Sequence, residues 1–179
     1  MIRYQKIIDK YYPAGTPLRD IYMRHCRAVA DEALSIARRK NLPLGPGRIE
    51  AAAMLHDIGI YATDAPGIEC HGSHPYISHG IIGRDLLLAE GVDDEIAEVA
   101  ARHTGSGLTA EEIVTQGLPL PPGDYCPRTL LERLVCYADK FYSKSGDMKR
   151  KPIEKVRRQM SSFGACSLVR FDRLNAEFG

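Results

Sequence analysis

The chain has 179 residues, of which 44% are hydrophobic and 26% are charged, and its formal net charge is +1 at pH 7. A chain of this length can bury a core of its own, and we predict a single domain over residues 1–179. The near-neutral charge excludes a general attraction to nucleic acid or to an anionic membrane, and no apolar run approaches the ~20 residues that span a bilayer.

The first third of the chain predicts three helices. Apolar residues recur at helical spacing over three segments, Ile2–Tyr12, Leu18–Lys40 and Arg48–Ile58. Thr16 followed by Pro17 is a typical helix start, and Gly59 is a typical stop. The third segment is apolar on nearly every side, which predicts that this helix is buried among others.

The rest of the chain continues the helical pattern. A polar loop, Tyr61–Ser73, is followed by five further predicted helices, at Ser73–Glu90, Asp93–Thr104, Thr129–Tyr142, Ile153–Phe163 and Ala165–Phe178. Thr109 with Glu112, and Thr129 with Glu132, have the spacing of capping boxes. There is no alternation typical of strands. We therefore predict an all-α fold, in which the loops at 61–73 and 106–127 shape any pocket.

Six residues that can bind metal ions fall on these predicted helices or at their ends: His25, His56, Asp57, His79, His103 and Asp139. A single histidine on a helix is more often a packed or surface residue than a ligand. Asp139, however, follows an apolar run, and a buried carboxylate is costly unless it is paired or bound to a cation. A shared metal site would satisfy these polar residues together. Imidazole and carboxylate suit divalent ions such as Fe, Mn, Ni, Co or Zn.

The segment AMLHDIG, residues 53–59, is similar to the HDIG signature of the HD-domain metal-dependent phosphohydrolases. His25 before this segment and Asp139 after it complete the order of that family's ligands. The resemblance covers roughly residues 18–142. It implies an HD-domain-like helical bundle with the metal site at its centre, on which the C-terminal helices, 152–178, pack.

The resemblance also implies the ligand set. One metal would be bound by His25, His56, Asp57 and Asp139. Members with two metals add two histidines, and His79 and His103 match these, so that Asp57 would bridge both ions. The cofactor is then one or two divalent ions, Fe, Mn, Ni, Co, Zn or Mg, with two favoured.

His71 and His74 compete with His79 for the second site. The spacing from His79 to Gly83 resembles the family helix and favours His79, which leaves His74 as a candidate substrate-binding residue. Ile60 and Tyr61 follow the signature where some nucleotide-acting members carry a lysine. A Gly-Tyr-Pro motif is absent, which disfavours the cyclic-di-GMP phosphodiesterase branch.

The resemblance implies an enzyme that hydrolyses a phosphomonoester or phosphodiester, of nucleotide-like structure, by a metal-activated hydroxide, with Asp57 as the catalytic residue. Arg102 and Lys140, which adjoin predicted ligands, and Lys144, in the loop just past Asp139, are candidates to bind the phosphate. The basic segment 149–158 is either a solvated helix face or a rim of the site. Two alternatives stay open: a di-iron oxygenase on the same ligands, and a non-catalytic metal- or nucleotide-binding regulatory module.

The expected partner is a small-molecule, nucleotide-like phosphate. We expect no membrane partner, and the sequence carries no strong signal for nucleic-acid binding. A homo-oligomer stays open, because the apolar residues of the C-terminal helices, Phe163 among them, could cover the chain's own core or a partner's. The N-terminus lacks the apolar stretch of a signal peptide and the five cysteines are scattered, which favours the cytoplasm.

Overall fold

A computed structural model describes residues 4–179. Over these residues the chain forms nine α-helices: α1 (Tyr4–Tyr11), α2 (Pro17–Arg39), α3 (Pro46–Leu55), α4 (His79–Ala89), α5 (Asp94–Arg102), α6 (Ala110–Thr115), α7 (Leu130–Asp139), α8 (Ile153–Ser162) and α9 (Ala165–Phe178). The all-α prediction is confirmed. Of the helix predicted at Ile2–Tyr12, the first two residues lie outside the described part. Within residues 4–179, no helix combines the length and hydropathy needed to cross a membrane.

The centre of the core is α3, which packs against α2, α5 and α7. Its side chains from Ala51 to Leu55 are all buried, which agrees with the prediction of a helix surrounded by others. On α2 the buried residues recur every three or four positions and include His25. The Thr16 hydroxyl accepts a hydrogen bond from the Arg19 backbone N–H, and Pro17 occupies the first turn, as the start signal predicted.

The chain leaves α3 three residues earlier than predicted. The helix ends at Leu55, His56 keeps helical dihedral angles, and Asp57 departs from them with φ −103° and ψ 13°. A 3₁₀ helix, Ile58–Ala62, follows. This change in backbone direction lets the adjacent side chains of His56 and Asp57 face one site, which successive residues of a regular helix cannot do.

Two buried tyrosines hold the backbone on both sides of this turn. The Tyr22 hydroxyl donates to the Met54 carbonyl oxygen at 2.6 Å, and the Tyr12 hydroxyl donates to the Ile58 carbonyl oxygen at 2.9 Å. The two rings stack with centroids 4.1 Å apart. Both tyrosines are fully buried, so their hydroxyl groups satisfy main-chain carbonyls that water does not reach.

Gly59 is required for close packing rather than as a helix stop. A Cβ atom at this position would lie 2.2 Å from the His79 carbonyl oxygen and 2.6 Å from the Gly83 backbone nitrogen. Both neighbours are main-chain atoms of α4, which cannot rotate away. Glycine at position 59 therefore allows the turn after α3 to lie directly on α4.

The helix pair α4 and α5 brings two histidines to the same end of the fold. The predicted start at Ser73 is wrong: the chain first forms two short antiparallel strands, β1 (Asp64–Ala65) and β2 (Cys70–His71), and a 3₁₀ turn at Tyr76–Ser78. His79 is thus the first residue of α4, and His103 directly follows α5. Gly80 lies against Ala100, where a Cβ would come within 2.7 Å of the carbonyl oxygen. This close approach places the two histidines side by side.

The C-terminal helices cover the chain's own core. Phe171 and Phe178 of α9 are fully buried, and the Phe171 ring lies 5.8 Å from that of Tyr137 on α7. Phe163, at the end of α8, is 51% exposed and does not join this core. That the whole chain is one domain stays a prediction.

One of the two predicted capping boxes forms in full. Thr109 and Glu112 cap α6 reciprocally, each side chain hydrogen-bonded to the other's backbone N–H. At α7 the Thr129 side chain accepts from the Glu132 N–H, but the Glu132 carboxylate accepts from the Arg128 N–H at 2.6 Å instead of completing the box.

Candidate metal centre

The structure brings together all six residues predicted from the sequence as metal ligands. Each has 8% or less of its surface exposed. Their ligand atoms form two groups, and within each group these atoms lie within 4.8 Å of one another: His25, His56, Asp57 and Asp139 in the first group, and Asp57, His79 and His103 in the second. Asp57 belongs to both groups.

The first group lies where α2, α7 and the turn after α3 meet. His25 Nε2 is 3.0 Å from Asp57 Oδ2 and 3.0 Å from Asp139 Oδ1. His56 Nε2 is 3.1 Å and 3.5 Å from the same two oxygens. Two imidazole nitrogens and two carboxylate oxygens thus surround one point, although they come from positions 25 to 139 of the chain.

The second group faces the other oxygen of Asp57. Oδ1 lies 3.3 Å from His103 Nε2 and 3.5 Å from His79 Nε2, and the two nitrogens are 3.0 Å apart. The two oxygens of one carboxylate are therefore divided between the two groups. This is the arrangement that the resemblance implied for Asp57 as a bridge.

Main-chain carbonyls fix the orientation of three of the rings. In His56, His79 and His103, Nδ1 lies 2.6 to 2.7 Å from the carbonyl oxygen three residues earlier. A carbonyl oxygen only accepts, so Nδ1 carries the proton and donates it. In the neutral ring, Nε2 then presents a lone pair to the centre.

Several of these buried polar atoms lack the partners that they require. Asp57 Oδ1 accepts no hydrogen bond from any residue between positions 4 and 179, and His25 Nδ1 is also without a partner, whereas Asp57 Oδ2 is paired with the Lys144 ammonium. Facing lone pairs repel, and an unsatisfied buried polar group costs about 1–3 kcal/mol, more when it is charged. A cation in each group would supply the missing partner. The imidazole-rich donor set suits Fe, Mn, Co, Ni or Zn, whereas Mg, which prefers oxygen ligands, suits it least.

The protonation of the second group is that of a metal-binding site. Burial, with the charge of the nearby His103 as a second cause, lowers the pKa of His79 to about 3. Burial also lowers the pKa of His103. Both rings are therefore neutral near pH 7. For Asp57, burial alone would raise the pKa, but the charges of His56 and Lys144 outweigh it and hold the pKa well below its ordinary value. Neutral imidazole and ionised carboxylate are the forms that bind metals.

His56 differs from these two histidines. Burial alone would lower its pKa, but the charge of Asp57 outweighs burial and raises the pKa well above the ordinary value. Without a cation, His56 therefore holds a second proton, on the nitrogen that faces Asp57. A cation in the first group has to displace that proton.

A cavity of about 570 Å³ opens onto the centre, and its wall includes His79, His103 and Asp139. Two of the predicted phosphate-binding residues, Lys140 and Lys144, also lie on this wall. Lys144 Nζ is 2.7 Å from Asp57 Oδ2. Lys140 Nζ is 2.7 Å from Asp139 Oδ2 and donates to the His103 carbonyl oxygen at 2.8 Å.

The other two predicted substrate-binding residues do not line this cavity. The Arg102 guanidinium donates to Glu98 at 2.6 Å and to the Cys126 carbonyl oxygen, because its position on α5 directs it away from His103. His74 is exposed, and its backbone pairs with the loop before β1. Of the three histidines that competed for the second group, His79 is the one that lies in it.

Several cavity-lining residues were not predicted from the sequence. The loop at 61–73 contributes Ala65, Gly67 and Ile68 as expected, but residues of 106–127 line a smaller neighbouring cavity of about 300 Å³ instead. The wall also includes Tyr76 and four residues of the segment that leads into and through α8: Lys151, Gln159, Met160 and Phe163. The helical spacing of α8 indicates which residues share a face, but not which part of the fold that face contacts.

Residues 22–143 match the family described as HD domain. The chain is 33% identical over 147 residues to a tRNA (cytidine(56)-2'-O)-methyltransferase of Thermoplasma volcanium. This match covers 82% of this chain and 38% of that protein. It is 37% identical over 120 residues to an uncharacterised protein of Methanocaldococcus jannaschii, covering 65% of this chain and 63% of that one. A second tRNA (cytidine(56)-2'-O)-methyltransferase, from Picrophilus torridus, is 36% identical over 124 residues. The chain spans less than two thirds of the length of each relative.

Among solved structures, the fold is similar to the HD domain of the L. monocytogenes phosphodiesterase PgpH, with a TM-score of 0.54. The likeness covers 99% of this chain and 97% of that one, at 14% sequence identity. At that identity the comparison shows a shared fold and nothing about the substrate.

Proposed function

Because the chain belongs to the HD-domain family, we propose that it is a metal-dependent phosphohydrolase that cleaves a small, nucleotide-like phosphate monoester or diester. The observation that carries this proposal is the position of Asp57. Its carboxylate is fully buried and directs one oxygen to each of the two histidine groups: Oδ2, which is paired with Lys144, to the first group and Oδ1 to the second.

The proposed roles follow from the contacts of each side chain. His25, His56, Asp57 and Asp139 would bind one divalent cation, and Asp57, His79 and His103 a second. When bound, such cations supply water of lowered pKa and neutralise the charge of a phosphate. Asp57 is the catalytic residue of this proposal, since it alone touches both groups and lies beside the cavity.

Lys144 and Lys140 are proposed to bind the phosphate oxygens. Lys144 Nζ lies next to Asp57 at the cavity wall, so a phosphate at the centre would lie within its reach. Burial alone would lower the pKa of Lys144, but the charge of Asp57 raises it well above its ordinary value, so the side chain is an ammonium. Lys140 is held by Asp139 and by the His103 carbonyl, which positions its charge at the same wall.

The cavity favours a small anionic substrate over an uncharged oxygenase substrate. Its volume of about 570 Å³ lies within the ~300–1,000 Å³ typical of small-molecule sites. Three lysines lie on the wall: Lys140, Lys144 and Lys151. An oxygenase acting on an uncharged substrate offers no reason for these lysines. A non-catalytic nucleotide-binding module would use the same lysines, and turnover is what distinguishes the hydrolase from it.

Hydrolysis is proposed here in preference to the methyl transfer that two relatives are named for. The chain spans 38% and 32% of the lengths of those proteins. The buried centre of this chain consists of imidazoles and carboxylates, which suit cations rather than a methyl donor.

The test is turnover by metal-loaded protein. Anaerobically purified protein is loaded with Mn²⁺, Co²⁺, Ni²⁺, Zn²⁺ or Fe²⁺, and release of phosphate or of nitrophenol is measured from nucleoside monophosphates and from mono- and bis-(p-nitrophenyl) phosphate. We expect metal-dependent turnover that Asp57→Asn abolishes and that His71→Ala, in an exposed histidine outside both groups, leaves unchanged. Absence of turnover with every metal, together with oxygen consumption and a mixed-valence iron EPR signal, would establish the oxygenase instead.

A further inference from the structure

Lys151 is a partly buried lysine on the cavity wall that has no carboxylate partner. The other two lysines of the wall each contact an aspartate, Lys140 with Asp139 and Lys144 with Asp57. Between positions 4 and 179, no carboxylate forms an ion pair with Lys151, whose Nζ donates to the Gln159 side-chain oxygen at 3.3 Å. An ammonium group has three donors, so an amide partner leaves room for an anion.

The surroundings of Lys151 place it beside the centre without making it part of the centre. Burial lowers its pKa, the charge of Asp139 raises it, and the charges of Lys140, Lys155 and Lys144 lower it. The Lys151 backbone N–H donates to the Phe141 carbonyl oxygen at 2.8 Å, which anchors this residue to the end of α7. Lys151 is thus a positioned cation rather than the tip of a free loop.

Apolar residues line the same cavity as this cation. Ile68, Tyr76 and Met160 line the same cavity, and Phe163 is 51% exposed although it is a large aromatic residue. An exposed aromatic side chain at a cavity mouth offers a surface on which a planar, apolar part of a ligand packs. The wall therefore combines cations with an apolar and aromatic surface.

The residues of this part of the wall come from outside the family match. All six residues of the two histidine groups lie within residues 22–143, whereas Lys151, Gln159, Met160 and Phe163 follow it. The segment beyond the family match thus forms part of the cavity but not of the centre. Such a division is typical of a shared chemistry combined with a separate determinant of substrate choice.

We propose that the Lys151 ammonium and the Gln159 amide bind a second phosphate group of the substrate, while the scissile phosphate lies at Asp57 and an apolar body packs against Tyr76 and Phe163. The preferred substrate class is therefore a nucleotide-like ester with two separate phosphate groups. This inference rests on the proposed function, because it assumes that one phosphate lies at the metal centre.

Kinetics with two matched substrates test the proposal. For a nucleoside 3',5'-bisphosphate, we expect Lys151→Met to raise KM by about 10- to 100-fold, the size of a lost charge-assisted hydrogen bond, and to leave kcat within about twofold. For the corresponding nucleoside 5'-monophosphate, KM stays unchanged. Lys151→Arg restores most of the affinity. Lys40→Met, in an exposed lysine at the end of α2 and outside the cavity wall, is the matched control. An equal change for both substrates, or no change for either, overturns the proposal.

Calorimetry separates this inference from the proposed function. Mn²⁺-loaded protein is titrated with non-hydrolysable methylenephosphonate analogues of the two nucleotides, so that no turnover occurs. We expect wild-type protein to bind the bisphosphate more tightly than the monophosphate, and Lys151→Met to remove that difference. If Lys151→Met does not fold, Gln159→Leu in an exposed residue of α8 is used, and a reduced difference is expected. Equal binding of both nucleotides by wild-type protein refutes the second phosphate site, whether or not the protein hydrolyses esters.

Discussion

Lys144 Nζ lies 2.7 Å from Oδ2 of Asp57, the carboxylate that joins the two histidine groups. The ammonium therefore occupies the immediate vicinity of the first group, where a cation would bind. Two positive charges that share one carboxylate repel each other strongly at low dielectric constant. Lys144 should for this reason oppose metal binding and favour phosphate binding.

Lys144→Met separates these two effects. We expect the variant to bind Mn²⁺ about 10-fold more tightly, because the competing charge is gone, and to show a KM for phosphate esters about 10-fold or more higher, because a charge-assisted contact is lost. Calorimetry measures the first quantity and steady-state kinetics the second. Weaker Mn²⁺ binding in the variant would contradict the competition, and Lys40→Met should change neither quantity.

The number of bound ions should depend on which residue is removed. His103→Ala affects the second group alone, so we expect the protein to retain one Mn²⁺ ion. Asp57→Asn affects both groups, so we expect this variant to retain neither ion. Its apparent affinities should be at least about 100-fold weaker, because the negative charge that both groups share is removed. Metal analysis after equilibrium dialysis gives the stoichiometry. Two ions retained by Asp57→Asn would show that the groups do not share this ligand.

Metal binding should release a proton near neutral pH. His56 has a raised pKa, so the metal-free protein carries a proton there until the pH exceeds that pKa. A cation has to displace it, and the affinity therefore falls as pH falls and rises as pH rises. His79, with a pKa of about 3, is already neutral and releases nothing above that range. Mn²⁺ titrations at pH 7 in PIPES and in Tris should give different heats. The difference should correspond to about one proton released to the buffer for each ion bound in the first group. Equal heats in the two buffers would contradict the displacement.

Gly59→Ala should damage the second group through the backbone. The new Cβ would meet the His79 carbonyl oxygen at 2.2 Å, so α4 has to move and carries His79 with it. We expect a loss of about 1–3 kcal/mol in the free energy of unfolding and weaker binding of the second ion. Gly47→Ala, in the first turn of α3 with nothing within 4 Å, is the control and should be neutral or slightly stabilising. Thermal denaturation with and without metal measures both variants.

The sequence by itself determined the helical fold and the family. Helix starts such as Thr16-Pro17 and the spacing of apolar residues depend on contacts within a few positions, so local patterns predicted most helices to within a few residues. Membership of the HD-domain family followed from the segment around His56-Asp57 together with His25 and Asp139, and it is confirmed by the match over residues 22–143. The roles of the individual ligands stay predictions.

Only the tertiary structure decided which side chains share the cavity. The choice of His79 over His74 depends on where α4 begins and on how α4 packs, and its first residue lies against Gly59, twenty positions away. Arg102 and Lys144 are both basic neighbours of predicted ligands, yet one contacts Glu98 and the other Asp57. The place of Lys151 was equally unreadable, because a loop follows the long-range packing of the helices on either side. Local patterns therefore indicate which residues can bind a metal, and packing between distant segments determines which of them meet.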